Sequence, residues 1–579
     1  MKPPDNKYIR FRTILIGLFF IALFAVIAAK AAYLQIYRSP WLSQKAANQY
    51  EKSFMTYGKR GSIFDRQLRV MAVSNDVTSI AAHPSQVEKK NSASVQLAKK
   101  LNLQRRSVRQ KLTSTQPFTW VKRQVTPAEA KAIRDLGFKG IVFKTEQNRF
   151  YPNKTLAAQV LGFSGIDGNG LEGIEYIYDD YLKGSGQKLT VLKDALGREI
   201  GSEKDTTDDR PSGKNIILTI DRTIQYMAEK VLEETVRKYS AKSGIAIIMV
   251  PKTGAILALA HVPLFNANAF KKYTHDQWRN RAITDPFEPG STLKIFSAAA
   301  ALESGSVSPQ SIFFCENGKY RIGNDTIHDT HAYGWLTLHK IIKYSSNIGI
   351  AKVGEATGAE GLYNTLRAFG FGEKSGIDCP GETAGSLMPY RRWTKIDASA
   401  IAFGQGVSVS AIQLITAVSA IANDGMLMKP FIVQAVTDEN GGLIKSNKPT
   451  PVRRAISVKT ARIIKAMMTS VTDSDGTGMQ AALNGYTVSG KTGTAQKADE
   501  KGTYAEKKFT ASFVGFTPRD KPELAILVVV DEPRPDHYGG VVAAPAFRQI
   551  AQEALNHLNV PPDKKTDHLR VAWDKGVSG

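Results

Sequence analysis

The sequence predicts a multi-domain α/β protein. It has one N-terminal membrane-spanning helix, an elongated mixed α+β region without a catalytic pairing, and a C-terminal domain whose sheet is flanked by helices. Three observations carry this. An apolar run opens the chain, the stretch from Tyr37 to Lys214 is polar and broken by glycine and proline, and strand pairs lie at both ends of the remainder with helices between. The 579 residues suffice for two or three domains.

Lys2, Lys7, Arg10 and Arg12 mark residues 1–12 as a cytoplasmic tail, and residues 13–36 form the anchor. Ile14 to Ala29 is uninterrupted apolar, and continuing to Ile36 spans a bilayer of about 30 Å if Lys30 snorkels to the interface. Ala29-Lys30-Ala31 also fits a signal-peptidase site, but the apolar run is long for a cleaved leader and a lysine at the middle position is unfavourable. The rest of the chain is then expected outside the inner membrane, in the periplasm. Residues 37–214 read as a non-catalytic domain that holds the later one off the membrane, with strand-like pieces at Ile141–Phe143 and Lys188–Val191 and no helix-long apolar run.

Residues 215–560 form the next domain, and 561–579 a C-terminal tail. A helix is expected from Thr223 to Tyr239, then a β-hairpin: Ile245–Val250, the turn Pro251-Lys252-Thr253-Gly254, and Ile256–Leu259. Helical spacing recurs over 338–353, 361–369, 411–422 and 460–471. Strands follow at 486–496, 510–516 and 524–531, the last a nearly pure apolar run, and a helix closes at 544–558. Pairs at both ends imply one mixed sheet assembled from distant parts of the chain.

The net charge of +24 suits an anionic partner or a solvated basic face, and no nucleic-acid motif is present. Cys315 and Cys379 are the only cysteines, either bonded in an oxidising compartment or buried as thiols. His328, His331 and His339 lack carboxylate or cysteine partners in register, so no metal or cofactor is called for.

The chemistry centres on Glu288-Pro289-Gly290-Ser291-Thr292-Leu293-Lys294. Pro289 and Gly290 break the chain, and the apolar spacing that follows puts Ser291 at a helix N-terminus with Lys294 one turn on. A lysine whose pKa is lowered by burial or by another cation can take the serine proton. Ser185 and Lys188 have the same spacing, but in a Gly-Ser-Gly loop that fixes no face. Two later stretches complete the Ser291 set: Ser345-Ser346-Asn347 at a helix junction, and Lys491-Thr492-Gly493-Thr494 within a strand. Lys491 supplies a second cation, Ser345 a proton relay, and Asn347 an amide to orient Lys294 and substrate. Gly493 lets a substrate strand approach the sheet edge. The N–H groups of Ser291 and Thr494 would form an oxyanion hole, worth about 3 kcal/mol per donor.

This ordered set is the signature of penicillin-binding proteins and related β-lactamases. Across its whole length the chain resembles class B penicillin-binding proteins, the monofunctional peptidoglycan DD-transpeptidases. Arg60-Gly61-Ser62-Ile63-Phe64-Asp65-Arg66, Gly170-Leu171-Glu172-Gly173-Ile174-Glu175, Gly404-Gln405-Gly406 and Ala511–Phe516 fit the family pattern outside the triad. Ser345-Ser346-Asn347-Ile348-Gly349 is most similar to the cell-division, septal branch. The resemblance implies an antiparallel transpeptidase sheet and a serine acyl-enzyme with Ser291, Lys294, Ser345, Asn347 and Lys491 as catalytic residues. Thr492, Gly493 and Thr494 would bind substrate, without cofactor. It also implies stem peptides on lipid-linked glycan strands as substrate, β-lactams as inhibitors, and a SEDS-family glycan polymerase with other divisome proteins as partners. The alternatives are a DD-carboxypeptidase or penicillin-hydrolysing enzyme, and a septal scaffold or β-lactam sensor acylated without turnover.

Overall fold

The structure, a computed structural model, describes residues 6–56, 58–183, 187–192, 212–498 and 504–564. Ser185, residues 1–5 and most of the C-terminal tail, 565–579, lie outside the described residues. The chain forms two compact units. One comprises residues 1–58, 77–146 and 185–211, the other residues 59–76, 147–184 and 212–579.

In the first unit, helix α1 (Asn6–Ala32) runs into a π-helical turn at Tyr33–Tyr37, and Lys7–Tyr37 is long and apolar enough to cross a membrane. A separate small core joins helices α2 (Lys90–Leu101) and α3 (Arg105–Leu112) through Ala93, Leu97, Leu101, Val108 and Leu112. Sequence reading finds no helix-long apolar run here, because each helix supplies only a few apolar side chains at i, i+4 spacing. A further helix, Pro127–Arg134, begins with a capping box from Thr126 and Glu129.

In the second unit, Glu175 is fully buried between two guanidinium groups. Arg60 reaches it at 2.6 Å and Arg149 at 2.6 Å, while the Tyr151 hydroxyl donates at 3.3 Å. Burial alone would raise the Glu175 carboxyl, but the two cations outweigh it and hold it below its ordinary range. Glu175→Ala should cost about 3–5 kcal/mol, since buried Arg149 loses its counter-charge and Arg60 keeps only Asp179 at 2.6 Å. Urea unfolding checks this, and a loss below about 1 kcal/mol would mean that the network relaxes freely.

The main sheet follows from helix α4 (Arg222–Lys238), capped by Asp221, whose Oδ1 accepts from the N–H of Thr223 at 3.0 Å. Strands β1 (Ser243–Met249) and β2 (Ile256–Val262) form the expected hairpin. Helices α5 (Lys294–Glu303), α6 (Leu338–Tyr344), α7 (Asn347–Thr357) and α8 (Ala411–Ala422) come next. Strands β3 (Ser489–Ala498), β4 (Tyr504–Thr517) and β5 (Leu524–Asp531) and helix α9 (Ala544–His557) close the domain. The strand order is β3-β4-β5-β1-β2. Every pairing in it is antiparallel, as the family resemblance implies and in place of the mixed sheet expected from the spacing of strand pairs alone.

Both faces of this sheet are covered, so its strands read as continuous apolar runs instead of alternating ones. Ile245, Ile247, Leu527 and Val529 share one core with α5 and α8. Ala246, Ile248, Ile526 and Val528 share another with α4 and α9. Helix α8 is buried along its whole length. Strand β3, which carries Lys491, is therefore an edge strand resting on a closed core.

Candidate active site

Ser291 lies in a single 3₁₀ turn, Gly290–Leu293, that leads directly into α5, so Lys294 is the first residue of the α-helix. The helix N-terminus expected at Ser291 is thus one tighter turn. Two glycines make that turn possible. Gly290 has φ +52°, and a Cβ there would stand 2.9 Å from the Thr494 carbonyl oxygen on β3. A Cβ at Gly493 would fall 2.2 Å from Ser512 Oγ and 2.8 Å from Thr292 Cγ2. Close packing of the serine turn on the strand therefore requires glycine at 493, whatever a substrate needs.

The helical stretch 338–353 is two helices that meet at the junction expected at Ser345-Ser346-Asn347. Ser345 caps α6 in the left-handed conformation, φ 61°, and Ser346 caps α7 from an extended one. This break points Ser345 and Asn347 at Lys294, which is fully buried. Lys294 Nζ donates to the Ser345 carbonyl oxygen, to Ser345 Oγ at 3.2 Å and to Asn347 Oδ1 at 2.6 Å. Asn347 Nδ2 donates to the His328 carbonyl at 2.9 Å, which fixes the amide with its oxygen toward Lys294. Lys491, also fully buried, donates to the same Ser345 Oγ at 2.9 Å. Ser345 thus bridges two lysines.

Burial lowers the Lys294 ammonium to about 7, with the Asp329 carboxylate acting the other way. Burial also pulls Lys491 far down, and repulsion from Lys294 adds to it. Burial and mutual repulsion thus both disfavour a second positive charge on the pair. That leaves one amine able to accept a proton, one turn from a serine hydroxyl.

Thr492 and Thr494 flank Gly493 with different partners. Thr492 Oγ1 donates to Thr477 Oγ1 at 3.2 Å, and Thr494 Oγ1 accepts the Gly539 N–H at 3.1 Å. Among the described residues Ser291 Oγ makes no hydrogen bond, and no group of His, Cys, Asp and Glu is arranged to hold a metal. Cys315 and Cys379 are buried free thiols.

Residues 244–552 match the family of the penicillin-binding protein transpeptidase domain, and residues 55–218 that of the penicillin-binding protein dimerisation domain. The chain belongs to the class B penicillin-binding proteins. It is 36% identical over 548 residues to a probable peptidoglycan D,D-transpeptidase PenA of Neisseria gonorrhoeae, covering 94% of this chain and 92% of the relative. To the peptidoglycan D,D-transpeptidase FtsI of Escherichia coli K12 it is 32% identical over 561 residues, covering 96% and 92%. The crystal structure of penicillin-binding protein 3 from Mycobacterium tuberculosis, complexed with aztreonam, superposes with a TM-score of 0.69 at 26% identity, covering 89% of this chain and 99% of that one.

One residue of this penicillin-binding protein's site escaped the sequence reading. Asp329 Oδ2 accepts from Ser346 Oγ at 2.6 Å, and its Oδ1 accepts from the N–H of Asn347 and from that of Ile348 at 3.1 Å. A carboxylate at the N-terminus of α7 satisfies free N–H groups and suits the helix dipole. It holds the turn that carries Ser345 and Asn347. Asp329 follows a short strand, Asp325–His328, well upstream of that helix, so no local capping pattern announces it.

Proposed function

We propose that this class B penicillin-binding protein is a septal peptidoglycan DD-transpeptidase in which Ser291 is the acylated nucleophile. Residues 215–560 form the catalytic domain and 37–214 the non-catalytic one. In this reading neutral Lys294 takes the Ser291 hydroxyl proton as Oγ bonds to the penultimate D-alanine carbonyl carbon. The oxyanion rests on the N–H groups of Ser291 and Thr494. As the C–N bond breaks, the leaving D-alanine nitrogen takes a proton through Ser345 from the lysine pair. An amine of a neighbouring stem then attacks the ester carbonyl and releases Ser291 Oγ, which regains a proton. Lys491, Thr492, Gly493 and Thr494 receive the substrate carboxylate and backbone, and Asn347 keeps Lys294 aimed.

The observation that carries this reading is the pair of fully buried lysines meeting at Ser345 Oγ, one of them at about 7. The apolar stretch Lys7–Tyr37 and the basic residues around its start support a single-pass anchor with the catalytic domain on the periplasmic side. A SEDS-family glycan polymerase and other divisome proteins are the partners that a septal enzyme of this class would serve.

The test is intact mass of the full-length protein in detergent with benzylpenicillin, followed by incubation with stem pentapeptide with and without an acceptor amine. A one-to-one adduct that lasts for minutes, is lost in Ser291→Ala, and accompanies cross-linked product is expected. Rapid release of hydrolysed penicillin would make it a penicillinase. D-Alanine release without cross-linking would make it a carboxypeptidase, and no adduct on folded protein would leave a scaffold.

A further inference from the structure

Residues 77–146 of the first unit contain fourteen lysines and arginines against four acids. Three of those acids are already matched: Glu88 with Lys139 at 3.3 Å, Glu129 with Lys122 at 2.6 Å, and Glu146 with Arg123 at 2.6 Å. The surplus gathers on one helical hairpin. Lys99 and Lys100 end α2, and Arg105, Arg106 and Arg109 line α3, all exposed and none in an ion pair among the described residues.

Packing explains why they point outward but not why they are basic. Val108 and Leu112 fix the buried face of α3 against Leu97 and Leu101, so the opposite face is free to be any polar residue. Lys99 and Lys100 sit where a helix C-terminus favours cations. Arg105 and Arg106 do not. They occupy the first turn of α3, where the helix dipole opposes positive charge, with no acid in that turn and no side-chain cap from Gln104. Folding alone would select the reverse charge, and a bound polyanion would relieve the conflict.

The exposed neighbours narrow the partner. Exposed Gln96, Gln104, Ser107 and Gln110 lie among the cations along the two helices and their link, and their amides and hydroxyl suit sugar hydroxyls and peptide groups. A bilayer-binding helix would instead present aromatic residues or leucines beside its basic face, and here the exposed apolar side chain is Val95 alone. We propose that the α2–α3 hairpin is a docking surface for the anionic glycan–peptide polymer on which this enzyme acts, gripped through the stem-peptide carboxylates. The identity of the polymer rests on the transpeptidase reading; the polyanion surface itself does not.

Co-sedimentation of the full chain in detergent with purified peptidoglycan sacculi, stripped of attached anionic polymers, tests it. Arg105→Gln, Arg106→Gln and Arg109→Gln combined should weaken binding at least about tenfold at 0.1 M salt and flatten its salt dependence. Neutralising Lys131, Arg134 and Lys144 to glutamine removes equal charge elsewhere in the unit and should change binding by less than about twofold. Sacculi whose carboxyl groups have been amidated should bind the wild type as weakly as intact sacculi bind the arginine variant. Wild-type binding by the arginine variant, an equal loss in the lysine control, indifference to amidation, or arginine-dependent binding to phosphatidylglycerol vesicles without binding to sacculi each overturns the proposal. Labelled penicillin is scored on the same samples. The arginine variant should acylate normally, and a wild type that binds sacculi but fails to acylate would sink the transpeptidase reading while leaving the surface standing.

Discussion

Gly404→Ala is expected to cut the rate of penicillin acylation by about a hundredfold or more while leaving the fold in place. Gly404 has φ +94°, and a Cβ there would lie 2.0 Å from the Gly290 carbonyl oxygen. Its own carbonyl accepts the Gly290 N–H at 3.1 Å, so the two backbones are locked face to face. Gly290 opens the turn that carries Ser291. The added methyl cannot be absorbed by a flexible side chain, because its neighbour is backbone. The turn has to move by an amount comparable to the overlap, and displacements near 1 Å cost about a hundredfold in rate. Left-handed backbone at a non-glycine residue adds about 1–2 kcal/mol, a few degrees in Tm for a domain of this size. Gly406→Ala is the matched control. Gly406 also has positive φ, 71°, but its Cβ would meet only Ile401 Cγ1, at 3.9 Å. It should lose comparable stability and keep most of its acylation rate. Stopped-flow acylation of both variants, with thermal unfolding alongside, decides the matter. Equal rates in the two would mean that the serine turn tolerates the push.

How far the sequence foretold this site depends on whether each part is set by near neighbours in the chain. Leu524–Asp531 and Ile245–Val250 are legible as buried strands because both faces of the sheet are covered, which leaves apolar runs without alternation. Their antiparallel direction follows from the family motifs and not from strand spacing, which leaves open whether a connection crosses over or folds back. The junction at Ser345-Ser346-Asn347 is legible in the sequence, but the backbone geometry of the break is not. Only the left-handed φ of Ser345 ends α6 before α7 begins. Arg60 and Glu175 stand out as parts of separate motifs, yet they meet in one buried ion network from positions 115 apart in the chain. Gly493 reads as a position that a substrate strand can approach, and the packing of Ser512 and Thr292 against its Cβ site is a second constraint that the sequence does not reveal. Long-range contacts of this kind leave no periodic trace.

Asp329 is the strongest such case, and it makes two separable predictions. Wild-type acylation should rise with pH through about 7, because the proposed mechanism needs neutral Lys294 to take the Ser291 proton and burial sets it near that value. The Asp329 carboxylate works against burial by favouring the charged amine. Asp329→Asn removes that charge, so the midpoint should move to lower pH. The same change damages the turn. An asparagine Oδ1 can still accept from the N–H groups of Asn347 and Ile348, but its Nδ2 is a donor facing Ser346 Oγ. That hydroxyl already accepts the Gly349 N–H at 2.9 Å and loses the carboxylate to which it donated. Loosening of Ser345 and Asn347 should lower the plateau rate by about tenfold to a hundredfold. A pH profile of penicillin acylation reads both effects at once, the electrostatic one as a shifted midpoint and the positional one as a lowered plateau. A lower plateau with an unmoved midpoint would confine Asp329 to holding the turn. A midpoint displaced upward would contradict the charge argument outright, since removing an anion cannot stabilise a neighbouring ammonium.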